Sequence, residues 1–422
     1  MIIKENKTFL NFLSLLFILI PLSLITGPFF PDLFIVIINL SLIGYIIFKK
    51  KFYIFNNLYF KFFIIICFYL SLISVVNLDF NSMKSSIFYF RFGLFALFSY
   101  YLINNNDNIL KYIYLIFVFI YIALFIDTLY QYFFSKNILG FVYHNAQNFR
   151  LTSFFGKDEV LGSYTARFFP LLLFLIFFNL KNKDIKKSNY SIILFTVISF
   201  VVVLLSGERT SIGLFILSFL FIFFSSIKLR RIFIIPLISI IIIFFFTISA
   251  SEKIKNRVVT TTINQMGLNS DSERFVVFSK TYEGHYLISY NMFKEKPFFG
   301  HGAKMFRVYC QKEENYVGDN ACTTHPHNFY AQMLAETGII GFIILFGIFV
   351  YVCYLFLKNF YNQLFRNKQI FTDESICLLS YYFMTLFPLL PSGNFFNNWL
   401  SIIIYYPLGF LIYLINKKRF YA

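Results

Sequence analysis

Apolar runs of about 17 to 25 residues recur from one end of the chain to the other. Each is long enough to cross the roughly 30 Å hydrocarbon core of a bilayer as a helix. That recurrence leaves one fold class, an all-α polytopic membrane protein. Helices are expected near 9–26, 32–48, 60–76, 87–103, 109–134, 161–180, 189–206, 211–227, 232–249, 339–357, 375–391 and 397–415. This makes about twelve transmembrane helices with both termini on one side. The chain then divides into helices 1–5 (1–134), a first outer loop (135–160), helices 6–9 (161–249), a large extracytoplasmic loop between helices 9 and 10 (250–338) and helices 10–12 (339–422).

A net charge of +17 could suggest a nucleic-acid partner, but its distribution argues otherwise. Basic clusters fall in alternate connections: Lys49, Lys50 and Lys51; Lys181, Lys183, Lys186 and Lys187; Lys228, Arg230 and Arg231; Lys358, Arg366 and Lys368; Lys417, Lys418 and Arg419. The positive-inside rule puts these and both termini in the cytoplasm, so the basic balance encodes topology. The first apolar run follows a basic start, as in a signal peptide, but no small-residue cleavage site follows cleanly and it reads as a helix. Cys67, Cys353 and Cys377 lie in or beside apolar runs and read as packing residues. Cys310 and Cys322 share the large outer loop, where an oxidising compartment permits a disulfide.

Polar chemistry concentrates in Thr324 to Gly341, T-H-P-H-N-F-Y-A-Q-M-L-A-E-T-G-I-I-G, at the mouth of an apolar segment. Pro326 biases His325 toward an extended conformation, and Asn328 is a good N-cap, so a helix should start with His327 at its lip. His327 would then stand beside unpaired N–H groups, where an anion binds readily. The alternative is a loop histidine that caps a helix. Upstream, Asp271 to Lys296 has apolar residues at helical spacing and ends at Pro297, and P-F-F-G-H-G then reads as a turn. Such a helix and turn would roof an outward-facing cavity.

Arg209, in L-L-S-G-E-R-T-S-I-G, sits at a hairpin tip between apolar segments, where ionisable residues are functional candidates. Snorkelling, with Glu208 as partner, is the alternative. For Arg274 the alternative is solvated pairing with Asp271 or Glu273. Arg150 and Arg167 bracket the first outer loop, to bind phosphates or mark the interface. An H-x-H pair with no third ligand nearby is a weak metal signal. His285 and His301 look like surface or turn residues, and Asp32 and Asp79 like lone acids at helix ends.

These stretches carry a resemblance. H-P-H-N-F-Y-A-Q-M-L-A-E-T-G-I-I-G, with ten residues between His327 and Gly338, resembles the signature of the O-antigen ligase and polymerase superfamily. R-L-T-S-F-F-G-K-D-E-V-L-G-S-Y after Arg150, S-G-E-R-T-S-I-G around Arg209, and S-E-R-F through K-P-F-F-G-H-G-A-K-M-F agree in order and spacing. Lys157, Asp158 and Glu159 depart from the small or amide residues common there. The resemblance implies a metal-independent GT-C type glycosyltransferase with no cofactor, acting at the periplasmic face of the bacterial inner membrane. Its donor would be an undecaprenyl-diphosphate-linked glycan, and its acceptor lipid A core, another lipid-linked repeat or a protein side chain.

An acceptor hydroxyl needs a base, and His327 suits that role. Arg209 and Arg274 suit a diphosphate, because guanidinium binds phosphate oxygens in a fixed bidentate geometry. Arg150, His325 and Asn328 are expected to touch substrate, and Gly338 and Gly341 to be structural. A lipid-linked-sugar transporter is the rival from another class. It should show repeats and broken helices at the midplane, whereas Arg91 and Asp127, the main charges within apolar runs, lie near helix ends.

Overall fold

In hydrocarbon every backbone N–H and C=O has to be paired internally, and these apolar runs meet that demand as helices. The computed structural model describes residues 7–106, 108–142, 149–180, 184–268, 274–318 and 320–422. The helices are α1 (Lys7–Ser23), α2 (Phe29–Lys49), α3 (Leu58–Val76), α4 (Phe80–Ile87), α5 (Phe90–Asn105), α6 (Ile109–Phe134), α7 (Leu161–Leu180), α8 (Ile185–Leu205), α9 (Arg209–Ser225), α10 (Ile227–Ala250), α11 (Glu252–Lys255), α12 (Thr261–Gln265), α13 (Lys280–Glu295), α14 (Phe306–Tyr309), α15 (Phe329–Arg366), α16 (Asp373–Thr385) and α17 (Asn398–Asn416). Among the described residues the only β-pairings are two isolated bridges.

Among the described residues, ten helical stretches are long and apolar enough to cross a membrane. The segments expected at 211–227 and 375–391 form the shorter α9 and α16, of 17 and 13 residues. α16 stops at Thr385 rather than running on to 391, because Pro388 and Pro391 cannot continue it. The chain from Leu386 to Asn397 becomes a folded-in loop. The span expected at 87–103 is likewise preceded by α4, which Asp79 caps by accepting from Ser82 N at 2.8 Å. α7 lies at the centre, 89% buried, while α10 at 11% is peripheral.

One end of the bundle gathers the long connections. Asp127 of α6 accepts from Ser153 Oγ at 2.5 Å and Ile138 N at 2.8 Å, and Gln131 Oε1 accepts from Thr152 N and Ser153 N. These bonds fold the first outer loop onto the bundle. Asp32, no lone acid, takes the Arg91 guanidinium through both oxygens at 3.0 and 3.1 Å and also accepts from Asn398 Nδ2. At the opposite end Thr372 N donates to Phe420 O, Ala422 N donates to Ile370 O, and Arg230 binds Gln363.

α15 is two helices joined at Gly338, whose φ of 63° and ψ of −167° break the helical run. The P-F-F-G-H-G turn plugs into this break. Ile339 N donates to Pro297 O at 2.8 Å, His301 N to Ala335 O at 3.1 Å and Gly302 N to Glu336 O at 2.8 Å. A Cβ at Gly338 would collide with Phe298 O, and one at Gly341 with the Thr337 side chain. Gly338→Ala should therefore lose about 1 to 3 kcal/mol or more through positive φ and the clash. Gly347→Ala, which meets nothing within 4 Å, should not. Thermal unfolding in detergent compares the two, and equal midpoints would refute the reading of the kink.

Candidate active site

The helix expected from Asp271 is shorter. It begins at Lys280 because Ser279 caps it, its Oγ accepting from Tyr282 N at 3.3 Å, and Asp271 and Glu273 lie outside the described residues. α13 lays Tyr282 and His285 against the 325–327 turn. The His327 ring centre lies 4.1 Å from that of His325 and 5.4 Å from that of His285, both tilted, with the Tyr282 ring edge-on at 5.6 Å. His285 is thus no surface residue: it is 1% exposed, and its Nδ1 faces Ala321 O at 2.6 Å. A carbonyl only accepts, so the His285 proton sits on Nδ1. His301 is also buried, with Nε2 against Met292 O at 3.0 Å.

His327 adopts φ 53°, a left-handed conformation uncommon for a residue with a side chain. Its surroundings impose this geometry. His327 O accepts from Ser392 N at 2.8 Å, and Asn328 Nδ2 donates to Pro388 O at 2.8 Å. Asn328 Oδ1 caps the helix by accepting from Tyr330 N and Ala331 N. The cap is the expected one, but it occupies two N–H groups that an anion would need, which leaves the arginines as the groups suited to an anion. Gln332 extends the scaffold to Glu336 Oε2 at 2.9 Å and Asn394 Oδ1 at 3.0 Å. Glu336, buried, also accepts from Lys304 N and Phe306 N at 2.9 Å each.

Burial, followed by the neighbouring His285, lowers the His327 pKa to about 4. Burial, then His327 and His285, lowers that of His325 to about 3. Both rings are neutral at physiological pH. Cys310 and Cys322 are bridged, with Cα atoms 5.3 Å apart and a sequence separation of 12, and this pins the approach to His325. The bridge should contribute about 3 kcal/mol in the chain-entropy model. Both thiols should resist alkylation in unreduced, denatured protein; labelling of both would refute it.

Arg209 does not pair with Glu208. Its Nη1 donates to Thr262 Oγ1 at 3.1 Å and its Nη2 to Gln265 Oε1 at 2.6 Å. Glu208 turns the other way, accepting from Gly162 N, Ser163 N and Ser211 Oγ, and burial raises its pKa to about 7. Tyr282 and Arg150 are the groups in electrostatic reach of Arg209.

Arg257, which sequence reasoning missed, sits on a single π turn, Asn256–Thr260, and its Nε donates to Gly207 O at 3.1 Å. Burial, then Arg150 and Arg209, lowers its pKa to about 10. Arg150, Arg209 and Arg257 therefore converge. Arg150 is held by Glu159 at 2.5 Å, one of the residues that depart from the family pattern.

Arg274 stands apart. It is 62% exposed and binds Glu283 through both oxygens, at 3.1 and 2.6 Å. Arg167 is buried inside α7 rather than at a loop edge, and its Nε donates to Ser163 Oγ at 3.3 Å. Among the described residues no three His, Cys, Asp or Glu side chains are placed to hold a metal ion.

Fold and site together define a multi-pass helical membrane protein with clustered imidazoles and an arginine cluster at one end of its bundle. Residues 194–346 match the family model described as O-antigen ligase, which supports a likeness to the O-antigen ligase and polymerase superfamily and an activity of that general type. That span includes Arg209, Arg257, Arg274, His327 and Gly338, but not Arg150. No curated protein matches the chain.

Proposed function

We propose that this protein transfers a glycan from an undecaprenyl-diphosphate-linked donor to an acceptor hydroxyl at the periplasmic face of the bacterial inner membrane, as an O-antigen ligase acting on lipid A core. The observation that carries this reading is a neutral His327 separated by Tyr282 from a cluster of three arginines. A neutral imidazole accepts a proton, and clustered guanidinium groups bind a diphosphate.

In this mechanism His327 takes the proton of the acceptor hydroxyl as its oxygen bonds to the anomeric carbon. The bond from that carbon to the diphosphate oxygen breaks, and its electron pair leaves with the diphosphate. Arg209 and Arg257, with Arg150 behind them, neutralise the charge that develops there. Arg274 joins the clamp by exchanging Glu283 for a donor phosphate. No metal is invoked, because the guanidinium groups supply the positive charge. Basic clusters around Arg230 and Lys417, at the end opposite the site, support a periplasmic site and cytoplasmic termini.

Polymerisation of lipid-linked repeats is the second reading, since ligases and polymerases share the histidine motif; transfer to a protein side chain belongs to the same chemistry. The glycan profile of a deletion strain separates the first two. Core lipid lacking all long chains, with lipid-linked polymer accumulating, is the ligase result. Core bearing a single repeat would overturn ligation in favour of polymerisation.

A further inference from the structure

The arginine cluster is not the only basic group beside the histidines. Lys304, on the turn that leads from P-F-F-G-H-G into α14, and Arg307, within α14, form a second basic pair. Three contacts fix that turn against the histidine scaffold. Glu336 accepts from Lys304 N and from Phe306 N, and Cys310 at the end of α14 is bridged to Cys322. Arg307 is thereby within electrostatic reach of His325, whereas Arg209 is in reach of Tyr282.

The Tyr282, His327 and His325 rings adjoin one another, with Arg209 in reach of Tyr282, Arg307 in reach of His325 and Lys304 in reach of Arg307. Arg91 lies near Lys304, but Asp32 already holds its guanidinium. Among the described residues neither Lys304 Nζ nor the Arg307 guanidinium has a hydrogen-bond or ion-pair partner. Glu336, a carboxylate in electrostatic reach of both, spends its oxygens on two backbone N–H groups and Gln332.

An apolar ledge adjoins these two cations. Leu78 is 91% exposed, Phe80 72% and Phe298 66%. They sit at the same place because Asn77 Nδ2 donates to Gly300 O at 3.1 Å and Ser82 packs on Gly302. Unpaired cations beside exposed apolar side chains match the junction between a phosphate and a lipid tail.

We propose that Lys304 and Arg307, with the ledge of Leu78, Phe80 and Phe298, form a second phosphate subsite on the His325 side, and that the acceptor is a lipid-anchored saccharide carrying a phosphate or diphosphate. This rests on the transferase reading above and assigns its acceptor class. A donor diphosphate and a phosphorylated acceptor repel each other when they share one site, and two separated groups of cations relieve that repulsion. A neutral protein hydroxyl would make no use of the second group. The same chemistry comes from two sources, phosphorylated lipid A core or a second lipid-diphosphate repeat.

Binding in nanodiscs, with His327→Ala to stop turnover, tests the subsite without relying on transfer. The probes are lipid A core glycolipid, intact and stripped of phosphate by hydrofluoric acid, and an undecaprenyl-diphosphate-linked repeat. One phosphorylated probe should bind about tenfold or more tightly than its stripped counterpart, free undecaprenol-linked repeat serving for the second source. A preference shown by the core glycolipid identifies it as the acceptor; the lipid-diphosphate repeat, which the arginine cluster binds as donor, is identified as acceptor only by the part of its preference that depends on Lys304 and Arg307.

Arg307→Gln combined with Lys304→Gln should abolish the core glycolipid's preference, or lower that of the lipid-diphosphate repeat to what the donor arginines alone give, and Arg307→Lys should restore part of it. Retention of the Cys310–Cys322 bridge and a single elution peak confirm that the variants fold. In the His327-containing protein, the double variant should leave the donor KM unchanged. Equal binding of phosphorylated and stripped probes would overturn the proposal, as would equal weakening of both or a raised donor KM. A protein that shows the preference but never transfers would leave the subsite standing and reject the transferase.

Discussion

Replacing His327 by alanine is expected to lower turnover by about 100-fold to 10,000-fold, the usual contribution of a general base, while membrane insertion and donor binding persist. The side chain lies against His325, His285 and Tyr282, whereas the local fold is held by the His327 carbonyl and by Asn328, which the substitution leaves in place. His325→Ala should cost less, since His325 acts through position. The pH profile gives an independent check. An unperturbed histidine loses its basic form near pH 6.5. Burial lowers the His327 pKa to about 4, so its neutral form persists as the medium is acidified. The limb of kcat/KM that reports the free enzyme's base should therefore fall near pH 4, and a midpoint at 6.5 would show that the acting base is less buried.

Arg209→Lys should lower transfer by about 100-fold, even though the charge is kept. A guanidinium offers several donors in one plane. Arg209 now uses two of its nitrogens on Thr262 and Gln265, which hold it in orientation beside Arg150 and Arg257. An ammonium cannot keep those bonds and also grip a diphosphate. Arg257→Lys should behave in the same way. Arg274→Lys distinguishes recruitment from bystander status, because Arg274 rests on Glu283 at the protein surface. Its loss of activity should equal that of Arg209→Lys only where donor binding draws it in. Full activity in both Arg209→Lys and Arg257→Lys would show that interface anchors had been mistaken for a clamp.

Much of this organisation is legible in the sequence because its signals are local. The spans follow from hydrophobic length, the cap at Asn328 from residue type and Pro326, and the bridge from two cysteines in one loop. What escapes depends on contacts far apart in sequence. Arg257 lies in N-R-V-V-T, a short stretch with no periodicity, and gains meaning only when its π turn meets Gly207. His285 looks exposed because the spacing of α13 does not say which face will cover the 325–327 turn. Glu208 and Glu336 resemble ordinary helix-end acids, yet each is buried on backbone N–H groups of a distant segment. The early stop of α16 was signalled by Pro388 and Pro391, but the docking of that loop on His327 was not.

The most direct measurement is the stoichiometry of transfer in proteoliposomes charged with an undecaprenyl-diphosphate-linked glycan and an acceptor. Free undecaprenyl diphosphate and glycosylated acceptor should appear in equal amounts with the wild-type protein and stay in step when a chelator is added. Neither should appear above background with His327→Ala matched for folded protein. Near-normal turnover by that variant would contradict the account. So would activity lost on chelation and restored by a divalent ion, or donor moved across the bilayer with its glycan–diphosphate bond intact.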